Sequence, residues 1–276
     1  MPWNAQLKLD YSLESNRSVL RFVHDGPLRV LKSLYPEGDA ICHNVLVHPP
    51  GGLVQGDTLD IHVNVAPGAH GLVSTPGATR FYRSSGEPAT QQVHITLQPG
   101  ARLEWLPLET IAYPGCQGRN HMLLDLNQGS ELLAWDICAL GLPATGLAFD
   151  HGGLHQRMHW PGHWLDEVRL QAQDTRLLNS SLGMSGHRCL GTLVLACGTP
   201  ISPLRREAVL TALRSVIEGH PLAASTGVTA PQANTLVVRC LAPIVEPMMN
   251  LFQDLWRQIR QEAWGMGTQT PRIWHV

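Results

Sequence analysis

Residues 59–69 read Leu59-Asp60-Ile61-His62-Val63-Asn64-Val65-Ala66-Pro67-Gly68-Ala69, and this stretch decides the fold. Apolar and polar side chains alternate from Leu59 to Val65, which is the pattern of a half-buried β-strand. Pro67 and Gly68 then end the strand, because proline donates no backbone hydrogen bond and glycine tolerates a positive φ. The stretch therefore predicts a strand followed by a tight turn.

The same strand-and-turn unit recurs along the first half of the chain. Gln92-Val93-His94-Ile95-Thr96-Leu97 leads into Gln98-Pro99-Gly100-Ala101, and Leu126-Asn127-Gln128-Gly129-Ser130 marks a third turn. The turn glycines are separated by about thirty residues, a spacing typical of units that stack on one another. A layered β-solenoid or a large sandwich fits this repeat. We expect a mainly β protein, a β-helix-like or solenoid-like stack of short strands.

The pattern changes near residue 200, where helical periodicity replaces strict alternation. Ser202 is a good N-cap, Pro203 a good first helical residue, and Gly219 a good stop. A short strand is predicted at 235–241, and a second apolar helical stripe begins at Pro247 and ends at Gly265. The sequence thus predicts a strand-rich segment 1–200 and helices near 202–218 and 247–264. No linker divides the chain, so we expect one domain over residues 1–276.

Composition excludes several classes of protein. Charged residues make up 15% of the 276-residue chain and the net charge is −2. An average domain is about 25% charged, so the low fraction suggests a surface covered by a partner. We expect no nucleic-acid binding, because the chain carries no basic excess. We also expect no membrane segment, because no apolar run approaches about 18 residues. The six cysteines form no C-x-x-C pair and no secretory signal is evident, which predicts buried thiols and a cytoplasmic location.

Four histidines, His151, His155, His159 and His163, follow one another at intervals of four. Glycine and Pro161-Gly162 interrupt the run, so a hairpin is expected rather than a helix. On a strand His155 and His159 share a face, about 13 Å apart, and can share a metal only if the strand bends. Imidazole suits nickel, copper and zinc. This leaves a β-solenoid metal-dependent hydrolase using the His151–His163 cluster as an alternative, although neither H-E-x-x-H nor G-x-S-x-G occurs.

One further segment stands out, and it reads His48-Pro49-Pro50-Gly51-Gly52-Leu53-Val54-Gln55-Gly56-Asp57. Its prolines and glycines are incompatible with a helix or a strand interior, so they predict a rigid, shaped loop. The spacing matches neither phosphate-binding pattern, G-x-x-x-x-G-K-[ST] or G-x-G-x-x-G. From local chemistry alone, the loop is either a functional element or a tight connection between two strands.

The loop closely resembles the signature loop of the urease accessory protein UreD family, called UreH in some organisms. Its hallmark positions here are His48, Pro49, Pro50, Gly51, Gly52 and Gly56. Other family motifs follow in the same order, namely Thr75 to Ser84, Leu103 to Ile111, Leu133-Ala134-Trp135-Asp136, Gly141 to Ala144 and Pro271-Arg272-Ile273-Trp274. The histidine hairpin is not a family hallmark, so no family role is carried onto it.

The resemblance implies a role in metallocentre assembly without catalysis. Similar proteins act as chaperones that bind the urease apoprotein subunits and recruit UreF and the GTPase UreG. With UreF they are thought to pass nickel transiently towards the urease active site, with no tightly bound cofactor. By matching positions, Asp57, Thr79, Asp136 and Asp166 resemble residues of the nickel path. If these residues have only structural roles, Asp57 caps its own turn and Asp136 pairs with backbone N–H groups. A third functional alternative is a β-solenoid that binds carbohydrate or protein.

Overall fold

The fold was taken from a computed structural model, which describes residues 2–275. Its strands are β1 (Asn4–Glu14), β2 (Arg17–Asp25), β3 (Arg29–Val30), β4 (Cys42–Val47), β5 (Thr58–Val65), β6 (His70–Ser74), β7 (Thr79–Phe81), β8 (Ala89–Leu97), β9 (Arg102–Trp105), β10 (Thr110–Ala112), β11 (Gln117–Leu126), β12 (Glu131–Leu140), β13 (Gly153–Trp160), β14 (Trp164–Gln171), β15 (Cys189–Cys197), β16 (Thr226–Gln232) and β17 (Thr235–Ala242). The α-helices are α1 (Thr175–Asn179), α2 (Pro203–Glu218) and α3 (Val245–Trp264). Short 3-10 turns occur at Pro143–Thr145, Ala223–Ser225 and Arg272–His275.

Two sheets face each other, and the chain winds between them as a solenoid. The first sheet has the strand order β14-β13-β11-β8-β5-β1-β2, and the second runs β16-β17-β15-β12-β9-β6-β4-β3. Strands β5, β8, β11 and β13 of the first sheet are parallel, as are β4, β6, β9 and β12 of the second. Each coil places one strand in each sheet, so the predicted layered β-solenoid is confirmed.

The repeated glycine turns lie directly on top of one another. Gly68, Gly100 and Gly129 have φ angles of 71°, 71° and 75°, which only glycine adopts easily. A Cβ atom on Gly100 would lie 3.9 Å from the Gly68 nitrogen, and one on Gly129 3.6 Å from the Gly100 nitrogen. The repeat read from the sequence is therefore a column of stacked turns.

Long strand β12 holds the interior together because it pairs with β15 along one edge and with two different strands along the other. Glu131–Ala134 pairs with β9, whereas Thr110–Ala112 of β10 pairs with the far end of β12 and also with β7. Between the two sheets lies one apolar core, to which alternate residues of β1, β5, β8, β11 and β13 contribute. The opposite faces of the first sheet's strands look outwards.

A second core lies between the second sheet and the two long helices. The predicted helices at 202–218 and 247–264 are confirmed as α2 and α3, with α3 beginning two residues earlier than expected. The apolar stripe of α3 is buried, as its members show: Met248, Leu251, Phe252, Leu255, Trp256 and Ile259. The C-terminal Trp274 packs against Trp135 and Trp256, with ring centroids 5.2 and 5.1 Å away.

The structure also shows the predicted hairpin and the predicted buried thiols. The predicted hairpin is β13 and β14, antiparallel and joined at Pro161 to His163. All six cysteines are free and buried, so the reading as buried thiols is confirmed. Within residues 2–275, none of the helices combines the length and apolar content that a membrane crossing requires.

Candidate functional site

The signature loop connects β4 to β5 and consists of two consecutive turns. The Gly51 N–H donates to the His48 carbonyl at 2.9 Å, and the Asp57 N–H donates to the Val54 carbonyl at 2.9 Å. Gly51 and Gly56 take positive φ angles of 80° and 75°. The loop is thus irregular and built of turns, as its prolines and glycines predict.

The middle of the loop is clamped onto β7 of the next coil. The Leu53 N–H donates to the Arg80 carbonyl at 2.7 Å, and the Tyr82 N–H donates to the Leu53 carbonyl at 2.9 Å. A Cβ atom on Gly52 would lie 2.3 Å from the Tyr82 ring. Glycine is required at this position because the aromatic ring occupies the space a side chain would need.

Asp57 ends the loop with both carboxylate oxygens engaged by backbone donors. The Trp3 N–H donates to Oδ1 and the Val54 N–H to Oδ2, both at 2.8 Å. The Asp57 side chain is buried. This geometry matches the turn-capping reading of Asp57, and Asp57 does not line the cavities described next.

Three cavities lie in line between the two sheets. The first, of about 160 Å³, is bounded by the signature loop and the segment around Thr79. The second and third are each about 20 Å³, room for about one or two water molecules. Thr79 and Gln91 line both the first and the second cavity, whereas Asp136 and Arg157 line both the second and the third. Adjacent cavities thus share lining residues from the loop to Asp136.

An inward-facing row of amides crosses the first sheet beside these cavities. Gln91, Asn120 and Gln156 are register partners on β8, β11 and β13. The Gln91 side chain donates to Asn120 Oδ1 at 3.1 Å. Asn120 and Gln156 in turn donate to the carboxylate of Asp136, at 3.3 and 3.0 Å. Asp136 comes from β12 of the opposite sheet, so the amide row connects both sheets.

The environment of Asp136 changes its acidity. Burial, and next the charge of Asp166, raise the pKa of Asp136 to about 7, against the opposing effects of the Gln156 hydrogen bond and Arg239. Asp136 is half-buried and lines two small cavities inside the protein. At neutral pH it exchanges readily between its protonated and ionised forms.

Asp166, from β14, lies at the third cavity with Asp136. It accepts a hydrogen bond from the Thr192 hydroxyl at 3.2 Å and pairs with the guanidinium of Arg239. The Arg239 side chain is 45% exposed, so the line of cavities ends close to the surface. Of the four path residues predicted by resemblance, the structure brings three to the cavities: Thr79, Asp136 and Asp166.

At the other end, His48 faces the first cavity from the signature loop. Its Nε2 atom is buried and has no hydrogen-bond partner among the described residues. Burial lowers the pKa of His48, partly offset by the nearby Asp57 charge, so the imidazole is neutral at pH 7. A neutral, unpaired imidazole nitrogen is chemically able to bind a divalent cation.

Sequence reasoning missed the amide row and its partners Thr192 and Arg239. A signal was present, because Gln91, Asn120 and Gln156 are polar residues at inward positions of strands whose other inward residues are apolar. The strand register was needed to show that the three positions are neighbours.

The histidines of the 151–163 hairpin contact different partners. His155 lies 3.1 Å from His121 and 2.8 Å from a Glu167 oxygen, whereas His159 lies 3.4 Å from the Arg157 guanidinium. His151 pairs with Asp150, and His163 stacks on Trp160. Within residues 2–275, none of these four histidines belongs to a group of three or more side chains close enough together to hold one metal ion.

Comparison with known proteins identifies relatives along the whole chain. The profile of the family described as UreD urease accessory protein matches residues 4–275. A urease accessory protein UreD from a Polaromonas species is 54% identical over 276 residues, covering 100% of both chains. Proteins of the same name from Albidiferax ferrireducens and Variovorax paradoxus are 55% and 54% identical over 274 residues, covering 99% of each chain.

Proposed function

The chain belongs to the UreD family of urease accessory proteins and thus has a role in urease maturation, within which we propose that it is a non-catalytic scaffold. In this proposal it binds the urease apoprotein together with UreF and UreG in the cytoplasm. Nickel crosses it transiently between the two sheets. The observation that carries the proposal is the line of cavities from His48 past Thr79 to Asp136 and Asp166.

The groups along this line have the chemistry that transfer of a cation requires. A conducting site must bind well enough for the ion to enter and weakly enough for it to leave. Thr79, Gln91 and Asn120 offer neutral oxygen atoms, and Asp136 is the carboxylate at the centre. Thiolates would hold nickel too tightly. Consistent with this, no cysteine among the described residues lines any of the three cavities.

Asp136 is the residue on which transfer would depend most. With a pKa of about 7 it releases a proton at little cost when a cation arrives and recovers it when the cation leaves. Asp166 is already paired with Arg239, so its charge is partly neutralised. The arrangement favours a weak, reversible site at Asp136 over a permanent one.

Partner binding is supported by the surface of the chain. The charged fraction of 15% is low for a free monomer. Several large apolar side chains are exposed, among them Val23, Leu182 and Leu204, with the last two 98% and 84% accessible. These side chains are accessible to a partner protein, as the proposal requires.

The test is co-expression with the urease subunits, UreF and UreG, followed by measurement of urease activity and of nickel bound to purified urease. We expect Asp136→Asn to lower both about ten-fold or more, while size-exclusion chromatography still shows the assembled complex. The matched control is Asp125→Asn, because Asp125 is an exposed carboxylate on neighbouring strand β11. Normal nickel loading by Asp136→Asn would contradict the path.

Complex formation is tested separately. We expect the chain to elute with UreF as one species when the two are co-expressed. A soluble monomer that ignores UreF would contradict the scaffold proposal, whatever the result for Asp136.

A further inference from the structure

A second group of donor side chains lies on the outer face of the first sheet. His62 of β5 and His94 of β8 are register partners on adjacent parallel strands, and Asp60 precedes His62 by two residues on the same face. The alternate residues of β5, Leu59, Ile61 and Val63, point into the core. The group therefore lies on the opposite side of the sheet from the line of cavities.

The three side chains are already close together. The imidazole rings of His62 and His94 stack with centroids 4.6 Å apart and planes at 8°. The Asp60 Oδ1 atom lies 3.2 Å from His62 Nε2 and 3.9 Å from His94 Nε2. One ligand atom from each residue lies within 4.8 Å of the other two. Within residues 2–275, it is the one group of three or more His, Cys, Asp or Glu side chains whose ligand atoms all lie within 4.8 Å of one another.

These separations come close to what a metal ion needs. Metal–nitrogen and metal–oxygen bonds of about 2.0–2.2 Å place two ligand atoms about 3.3 Å apart at tetrahedral angles. The Asp60–His62 separation already meets this value, and the Asp60–His94 separation exceeds it by about 0.6 Å. The two parallel rings must rotate before their in-plane nitrogen lone pairs can meet at one ion. They have room to do so, because the His62 side chain is 47% exposed and that of His94 is 28% exposed.

The backbone around the three side chains is fixed, and the nearest lysine is paired elsewhere, so it does not compete for Asp60. The backbone beneath the group is fixed by the parallel ladder of β5 and β8, and sites on strands are better positioned than sites on loops. The neighbouring cation Lys8, in register with His62, is paired with Asp10 at 3.1 Å.

We propose that Asp60, His62 and His94 form a surface binding site for a late first-row divalent cation such as Zn²⁺, Ni²⁺ or Cu²⁺. Two imidazoles and one carboxylate suit these ions, whereas Mg²⁺ and Ca²⁺ require oxygen ligands. Three protein ligands leave at least one coordination position open to water or to a side chain of a bound partner. The site is independent of the proposed internal path and goes beyond it.

The test is isothermal titration calorimetry of the purified full chain, without an oligohistidine tag, using ZnCl₂ and NiCl₂ separately. We expect saturable binding in a 1:1 ratio at this site. His62→Gln and His94→Gln should each raise its Kd about ten-fold or more, because losing a ligand costs at least as much as losing a supporting hydrogen bond. His24→Gln is the matched control, an exposed strand histidine whose contact is the Arg29 guanidinium.

Electron paramagnetic resonance with Cu²⁺ identifies the ligands directly. The wild-type spectrum should show coupling to two imidazole nitrogens, and each single variant should show coupling to one. Equal Kd values for wild type and both variants would overturn the proposal. So would loss of binding in His155→Gln with binding retained in His62→Gln, because the His121–His155 pair would then be the site. Circular dichroism of each variant excludes misfolding as the cause.

Discussion

The carboxylate of Glu104 accepts a hydrogen bond from Nε2 of His70 at 2.8 Å, and both side chains lie inside the protein, 0% and 8% exposed. The Trp256 indole donates to the other Glu104 oxygen at 2.5 Å, and the Arg260 guanidinium lies 3.6 Å from it. Arg260 also reaches Glu37 at 2.8 Å. This buried network fastens α3 to the second sheet.

Glu104→Gln should destabilise the protein strongly. Arg260 is fully buried, and removing one of its two acidic partners leaves its charge under-compensated. Breaking a buried pair in this way costs about 3–5 kcal/mol. Urea unfolding at pH 7 measures the change in free energy of unfolding. Glu14→Gln, which removes an exposed pair with Arg21, should leave the midpoint nearly unchanged, and equal effects of both substitutions would contradict the role of the network.

The same network predicts sensitivity to acid. Although burial by itself raises the pKa of Glu104 and Glu37, contacts with His70, His43 and Arg260 hold both below the usual value of 4.5. Each group therefore stabilises the fold above pH 4.5, and this contribution is lost as the pH falls through the lowered pKa. We expect the free energy of unfolding to decrease below about pH 4.5, measured in urea from pH 7 to 3.5. In Glu104→Gln the free energy of unfolding should fall less steeply with pH than in the wild type. Parallel pH curves for the two proteins would argue against Glu104 as the cause.

Asp136 has the opposite pH dependence. Its pKa rises from 3.8 to about 7 on folding, so its contribution to stability is complete below pH 3.8 and is lost as the pH rises towards 7. Asp136→Asn should therefore be more stable relative to wild type at pH 8 than at pH 4.5. Urea unfolding at the two pH values measures the difference. An unchanged difference would show that the carboxyl group is not perturbed as the geometry implies.

Gly52→Ala tests the clamped signature loop. The new methyl group would lie 2.3 Å from the Tyr82 ring, so the ring or the loop must shift. Overpacking of this kind costs about 1–3 kcal/mol. Gly77→Ala is the matched control, because a Cβ atom there meets no atom within 4 Å. Thermal unfolding followed by circular dichroism should show a lower Tm for the Gly52 variant alone, and similar Tm values for both variants would contradict the close contact.

Trp274→Ala tests the docked C-terminal segment. The indole packs between Trp135 and Trp256, and its N–H donates to the Ser74 hydroxyl at 2.8 Å. Truncating a fully buried tryptophan costs about 3–5 kcal/mol, and Trp274 is half-buried, so we expect a loss of about 2–3 kcal/mol. Trp274→Phe keeps an aromatic ring and loses the hydrogen bond, so it should cost about 1 kcal/mol. Urea unfolding compares them, and a neutral Trp274→Ala would show that the segment does not dock in solution.

The strands and turns of the solenoid were predictable because their signals are local. Alternation over Leu59 to Val65 and the Pro-Gly turn after it specify a strand and its end within eleven residues. The stacking of Gly68, Gly100 and Gly129 followed from their regular spacing. The candidate site was harder to predict from the residues themselves. Thr79, Asp136 and Asp166 were identified by resemblance, and Asp57 caps its turn instead of facing the cavities.

By itself the sequence determined the type of each element, its turns and the family, since these depend on residue types and short spacings. Only the tertiary structure decided that Gln91, Asn120 and Gln156 form one row that meets Asp136 across the interior. The loops joining successive strands differ in length, so strand register follows from packing of the whole stack and not from any local pattern. The same reason explains why Glu104 and Arg260, 156 positions apart, meet only in the folded chain.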